Sequence, residues 1–410
     1  MSEPKRDLVE SPEEAAATGT LAARISLSQR AGGVAVPVAT IVLAFLIGGL
    51  VVLATGHNPL DTYRDVFNGA GLNWFFHPTT STQGAAAYNL SQTLLQSTTL
   101  ILTGLAVAFA FRCGMFNIGG QGQYFVGLVV ANWLGVSFAD MSLLPHALIT
   151  IVGATLAGAA WAGIAGVLKA TTGAHEVIST IMLNWIAFYM ASWLFGDGGP
   201  LQTSDPTRQT VPISNDVARS AQLPVIWGTH GFQGLDIGFL IAIAALVVFW
   251  ALINRTTLGF EVRAVGFNPD AAAYGGINVK KNLIRAMTIS GAFAGLAGAL
   301  DMVGYLYHYG QLDVQVSQVG FIGIAVALLG RNTAVGTFLG AVLFGGLLYG
   351  TTQGLSSNVI QPELATNLTY IIQGLVVLFI GADLLILYVW NSRRRLRPRR
   401  AARAPVKAAA

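Results

Sequence analysis

Long apolar runs recur along this chain and leave it few ways to fold. Predominantly apolar stretches fall at 34–54, 90–111, 119–139, 143–168, 177–196, 236–254, 283–303, 317–330, 334–353 and 367–390. About 20 such residues in a helix cross the ~30 Å hydrocarbon core of a bilayer, and a helix satisfies its backbone polar groups internally. The runs predict an all-α membrane protein of about ten transmembrane helices. Composition agrees: 10% of the residues are charged, against roughly 25% in soluble domains. The polar, mixed-charge residues 1–33 read as a cytoplasmic, disordered leader, 34–390 as the transmembrane domain and 391–410 as a basic cytoplasmic tail.

Charge placement gives the orientation. Eight of the 23 basic residues lie between Arg393 and Lys407, directly after the last apolar run. With the leader inside, an even number of spans puts that tail inside too, as basic flanks prefer. Lys169, Arg255, Arg263, Lys280, Lys281, Arg285 and Arg331 then fall on the same side. The basic tail therefore reads as a topology signal and a contact for anionic lipid, not as a nucleic-acid site.

Glycine is abundant, 48 of 410, and small residues let membrane helices approach closely. Gly158, Ala162 and Gly166, then Gly291 and Gly295, then Gly336 and Gly340 have spacings that permit this. Cys113 is the one cysteine, so no intrachain disulfide forms. No H-E-x-x-H, G-x-S-x-G or metal-spaced Cys/His set occurs, and no cofactor or metal site is expected. An intramembrane enzyme has no support. A P-loop is also missing, so any ATP hydrolysis belongs to another polypeptide. The ionisable groups that stand out near the spans are Asp383, Glu176 and Arg112. Helix capping, ion pairing and snorkelling account for them, which leaves ion-coupled transport poorly supported.

Residues 259–278 are too short to span and stand between two long helices. Asn268-Pro269-Asp270 predicts a helix start, with Asn as cap, Pro in the first position and Asp in the first turn. Gly275-Gly276 predicts its stop. Such a helix either meets a partner's groove or lies on the membrane. Two external segments, 55–89 and 197–235, are long, and the second either packs over the outer mouth or connects through solvent.

At 259–278 the sequence resembles a known family. Arg263-Ala264-Val265-Gly266, Asn268-Pro269, Ala272, Tyr274 and Gly276-Ile277-Asn278 are similar to the coupling-helix region of ribose-type ABC importer permeases, in the branch that carries nucleosides and simple sugars. Phe116-Asn117-Ile118-Gly119-Gly120-Gln121-Gly122-Gln123 and Glu176-Val177-Ile178-Ser179-Thr180-Ile181-Met182-Leu183-Asn184 resemble two further motifs of that branch, in the same order. Gln121 and His175 depart from it, standing where the family often has Glu and Asn.

The resemblance implies a type II-like importer permease in the bacterial cytoplasmic (inner) membrane, built from two similar halves. It implies a second permease subunit, identical or different, two ATPase subunits and an extracytoplasmic solute-binding protein. It makes Arg263, Gly266, Asn268, Pro269, Ala272 and Gly275 the ATPase-coupling candidates. Polar and aromatic groups at membrane depth are the candidates for the translocation path: Asn117, Gln121, Gln123, Asn184, Trp185, Tyr189, Gln318 and Gln373. Asn117 to Gly120 also suggests a helix broken within the bilayer. The rival reading is a stand-alone secondary transporter or channel, which needs no ATPase and no coupling loop.

Overall fold

The computed structural model describes residues 38–356 except 55, 77–82, 209 and 229–233, with a few single positions between 367 and 378. The leader, the basic tail, Gln373 and Asp383 lie outside the described residues, as does most of the apolar run 367–390. By contacts the chain divides into a main unit, Gly48–Val377, and a second made of Met1–Ile47 with Leu378–Ala410. Apart from the first part of the first helix, the features described below lie in the main unit.

Helices dominate. They are α1 (Val38–Ala54), α2 (Pro59–Gly69), α3 (Gln83–Arg112), α4 (Gly120–Ser137), α5 (Leu143–Thr172) and α6 (Glu176–Phe195). After a small hairpin follow α7 (Gly238–Arg255), α8 (Thr257–Phe267), α9 (Pro269–Tyr274) and α10 (Val279–Asp301). The last are α11 (Gln311–Val316), α12 (Val319–Leu329) and α13 (Ala334–Ser356). Among the described residues seven helices are long and apolar enough to cross a membrane, or eight if the bent pair α1–α2 is one span. Helix α4 is not one of them, because Gln121, Gln123 and Asn132 dilute an otherwise apolar stretch.

Local chemistry sets the boundaries. Asn58 caps α2, accepting from the Leu60 N–H at 3.0 Å, with Pro59 in the first position. Asn278 caps α10 in the same way, accepting from Lys281 N at 2.9 Å. Helix α5 ends where Gly173 turns to φ +72° and returns its N–H to Lys169. Glu176 opens α6 and sits 2.8 Å from Lys169, closing that turn with an ion pair.

Helix α3 forms the core. Ile101, Leu102, Leu105, Ala106, Val107, Ala108, Phe109 and Ala110 are fully buried, as expected of a helix apolar on all sides and surrounded by others. Phe109 meets Phe249 of α7 at 6.1 Å and Phe293 of α10 at 6.3 Å, ring centre to ring centre. By contrast Leu144, Leu148, Val152 and Leu156 make an exposed apolar stripe along α5. A stripe like that faces lipid, not water.

Glycine sets the closest approach. A Cβ on Gly295 of α10 would lie 2.7 Å from the Ala154 carbonyl oxygen and 2.9 Å from Gly158 Cα on α5. One on Gly291 would lie 2.3 Å from Ala162 Cβ. The spacing seen in the sequence thus serves to bring α5 and α10 backbone to backbone.

The described residues of the segment 197–235 pack over the helix ends. Strands β1 (Val225–Trp227) and β2 (Leu235–Asp236) pair antiparallel within and just after it. Ala218 N donates to Gly135 O at 2.9 Å, Leu223 N to Val303 O at 2.8 Å and Val217 N to Tyr307 O at 2.7 Å. Asn132 of α4 donates to Ser214 Oγ and to Asn215 O. Trp227 meets Trp74 edge-on with centroids 5.4 Å apart.

Candidate translocation site

Between α3 and α4 the chain runs non-helically from Cys113 to Gly119 and climbs back along the body. Gly114 begins the turn at φ +72°. Asn117, fully buried, then organises the break. Its Nδ2 donates to Gln123 Oε1 at 2.9 Å and to Ser290 Oγ at 2.7 Å. Its Oδ1 accepts from Gly119 N and from Gln123 Nε2, both at 2.9 Å. Ser290 in turn donates to the Ala106 carbonyl of α3 at 2.6 Å.

Asn184 of α6 does the same from the other side. Its Oδ1 accepts from Gly122 N at 2.8 Å and its Nδ2 donates to Ile118 O at 2.9 Å. A helix N-terminus leaves backbone N–H groups without partners, and in lipid each must find one inside the protein. Neutral amide side chains fill that need here.

The start of α4 meets the start of another short helix. Gln121 Oε1 accepts from Gly320 N of α12 at 2.7 Å, and Gln121 Nε2 donates to Ser317 Oγ at 3.3 Å. Gly323, one turn further along α12, packs on Thr103 of α3. Thr103 is nine residues before Arg112, about 14 Å from that end of α3 at 1.5 Å per residue. Two half-helices therefore meet deep inside the body. The chain is non-helical at Asn117–Gly119, between α3 and α4, and a second non-helical step, Ser317–Gln318, separates α11 from α12.

The path candidates fall into two groups. Asn117, Gln121, Gln123 and Asn184 are buried and hold the break. Trp185 and Tyr189 of α6 are 53% and 65% exposed and lie nearly parallel, with ring centroids 6.0 Å apart. Gln318, at the elbow, is exposed, and its side-chain amide makes no hydrogen bond among the described residues. Gln315, also exposed, joins it on the same elbow.

Residues 257–278 fold as α8, α9 and a stop. Asn268 caps α9, accepting from Ala271 N at 3.0 Å, with Pro269 first and Asp270 in the first turn. Gly275 closes it and Gly276 takes φ +82°. Gly266, Asn268, Pro269 and Gly275 are exposed, Arg263 is half-buried and reaches Asn254 at 3.4 Å, and Ala272 is buried. Gly266 backs onto Arg112 and Cys113, so closely that a Cβ would lie 2.4 Å from the Arg112 carbonyl oxygen. Phe267 and Tyr274, flanking α9, are 96% and 97% exposed.

Sequence reasoning passes over several of these. Tyr274 enters only as part of the resemblance and Phe267 not at all, until α9 turns both outward. Ser290 and Ser317 look like ordinary helix serines. Asp301 falls two residues from the end of the run 283–303, where an acid is ordinarily solvated. In the fold it is 1% exposed.

Residues 89–381 match the family described as the permease component of the branched-chain amino acid transport system. The chain belongs to that family. The permease is also similar nearly end to end to individual members. It is 38% identical to the guanosine ABC transporter permease protein NupP of Bacillus subtilis, over 88% of this chain and 96% of that one. It is 35% identical to the nucleoside ABC transporter permease protein NupB of Lactococcus lactis, over 86% and 92%. It is 32% identical to the glucose ABC transporter permease protein TsgB13 of Haloferax volcanii, over 84% and 86%. The permease is a multi-pass membrane subunit of an ABC importer, and not an enzyme.

Proposed function

We propose that this permease takes up nucleosides, with simple sugars as the second solute class, and that α9 is its coupling helix. The solute class rests on the relatives: two of the three named carry guanosine or nucleoside permease names over at least 86% of this chain. The chain sits in the bacterial cytoplasmic membrane with ten spans and both termini inside. Its leader is 1–33, its permease domain 34–390 and its basic tail 391–410. The seven or eight spans in the described residues, α4 and the run 367–390 support that number.

The observation that carries the path is Gln318. An exposed, unbonded amide at that depth costs several kcal/mol against lipid, so this face meets water or protein. The path runs over the elbow and along Trp185 and Tyr189, with Asn117, Gln121, Gln123 and Asn184 holding the broken helix behind it. Gln373 belongs to the same proposal. A second permease subunit, the same or different, supplies the opposite wall, and a solute-binding protein delivers from outside.

At the other end an ATPase subunit docks on Gly266, Asn268, Pro269 and Gly275, with Arg263 beside them and the buried Ala272 beneath. Phe267 and Tyr274 supply the anchoring side chains, since exposed aromatics at the centre of a contact carry much of its energy. The test is labelled guanosine uptake into proteoliposomes holding the permease, its partner permease, ATPase and binding protein. Phe267→Asp with Tyr274→Asp is expected to abolish ATP-driven uptake while leaving the melting temperature unchanged. Uptake that follows an ion gradient, needs no ATP and ignores the double variant overturns the reading in favour of a secondary transporter.

A further inference from the structure

Asp301 ends α10 beside Thr99, thirteen residues before Arg112 on α3, so it lies about 20 Å along that helix. Acids inside membrane domains are costly and mark positions with a task. One Asp301 oxygen accepts from Thr99 Oγ1 at 2.5 Å and the other from Tyr124 Oη on α4 at 2.8 Å. The remaining groups that face it are the hydroxyls of Tyr305 and Tyr309 and a second acid, Asp236 of β2. It is not an ion-pair staple. It is a two-sided acceptor that joins hydroxyls from α3 and α4 to the end of α10.

The backbone there has little stiffness of its own. Directly after Asp301 the helix widens into a π-turn, Met302–Leu306, and Tyr307 takes φ 59°. Such turns forfeit regular helical hydrogen bonding and recur at functional positions. Side-chain bonds take over. The Tyr309 hydroxyl lies beside Tyr124 and Ser317 and donates its one proton to Asp313 O at 3.2 Å. Ser317 is the residue that Gln121 holds at the start of α4. The Tyr309 backbone exchanges hydrogen bonds with Ser214 of the external segment, its N–H to Ser214 Oγ at 3.0 Å and its carbonyl from Ser214 N at 2.8 Å.

We propose that Asp301 is a positioning residue for solute passage, which acts through Tyr124 on α4 and through the π-turn that leads to Tyr309 to place the α11–α12 elbow and to tie it to the external segment. This rests on the elbow being the wall of the path. A residue with a single acceptor cannot do the same work, because one of the two hydroxyls from α3 and α4 then loses its partner in a dry interior. Elbow and external segment share Tyr309, so they move as one unit, and Asp301 sets where that unit rests.

The experiment is guanosine uptake by the complete reconstituted transporter carrying Asp301→Asn, Tyr309→Phe or both, with kcat and KM separated and each melting temperature measured. Tyr309→Phe removes one hydroxyl and keeps the ring, so it is expected to melt as the parent while kcat falls about three- to tenfold at unchanged KM. Asp301→Asn is expected to lower kcat in the same way and Asp301→Ala further, the amide rescuing part of the loss. The double variant is expected to be no slower than the slower single one, because both displace the same elbow. Parental kcat in Tyr309→Phe, losses that multiply in the double variant, or losses that track melting temperature each overturn the proposal. Gln318→Leu, run alongside, reports on the wall itself. Normal uptake in both Gln318→Leu and Tyr309→Phe overturns both readings, whereas impaired Gln318→Leu beside normal Tyr309→Phe overturns only the role of Asp301.

Discussion

The side-chain carbonyl of Gln121 accepts the backbone N–H of Gly320 at 2.7 Å, which fastens the start of α4 to the start of α12. The two backbones touch there: a Cβ on Gly320 would lie 2.3 Å from Gln121 N. Gly320→Ala therefore has nowhere to put its methyl, since the obstacle is backbone. Its expected result is loss of folded protein in detergent, seen as an aggregated elution profile. Gln121→Leu keeps the volume but orphans the Gly320 N–H, at a cost of about 1–3 kcal/mol. Gln121→Glu keeps that acceptor and is expected to melt closer to the parent than Gln121→Leu does.

Asn184 serves two backbone groups of the broken segment at once, Gly122 N and Ile118 O. Asn184→Leu strands both in the interior and is expected to cost about 2–6 kcal/mol, twice the single-group figure. Asn184→Asp keeps the acceptor for Gly122 and loses the donor to Ile118, so its melting temperature is expected to fall between the two. Equal melting of Asn184→Leu and the parent would show that the break is held by other means.

Close packing of α5 on α10 gives a prediction with its own control. Gly295→Val places its side chain into Ala154 and Gly158 backbone, and overpacking of a dense interface costs about 1–3 kcal/mol or more. Gly84, at the start of α3, has nothing within 4 Å of where a Cβ would sit. Gly84→Ala is expected to express and melt as the parent, while Gly295→Val yields little folded protein.

Cys113, which follows α3, offers a probe of the contact between the broken segment and α8. It is 2% exposed, its Sγ donates to Asn282 O at 3.8 Å, and burial pushes its thiol up to about 12. A thiol reacts as its thiolate. At pH 8 maleimide labelling of the native protein is expected to be slow and labelling in denaturant fast, with no other cysteine to confuse the count. A Gly266→Leu variant, which wedges α8 away from Cys113, is expected to label faster. Rapid labelling of the native parent would contradict the packing described.

Much of the fold was legible because membrane burial writes itself into linear sequence. A span must be about 20 residues of apolar side chain whatever surrounds it, so α3, α5, α6, α7, α10 and α13 show as runs. The α9 helix was legible for another local reason: Asn268, Pro269 and Gly276 each satisfy a backbone requirement within a few residues. The candidate site was legible in part. Asn117 to Gly120 announced a break, since polar residues and glycine inside an apolar stretch need a special setting.

Its partners were hidden because they come from far along the chain. Ser290 lies 173 residues from Asn117, and Gly320 lies 199 from Gln121. Nothing in the residues near Asn117 names either. The same distance hid Asp301, whose partners Thr99 and Tyr124 come from two other helices. It also hid which of the predicted path residues are buried and which are open. The sequence by itself determined that the chain crosses a membrane, roughly where, and with which side chains at depth, because solvation by lipid acts residue by residue. Only the tertiary structure decided that Asn117 and Asn184 satisfy the backbone between α3 and α4 while Gln318 lies exposed, because hydrogen bonds between distant segments depend on how the helices are brought together.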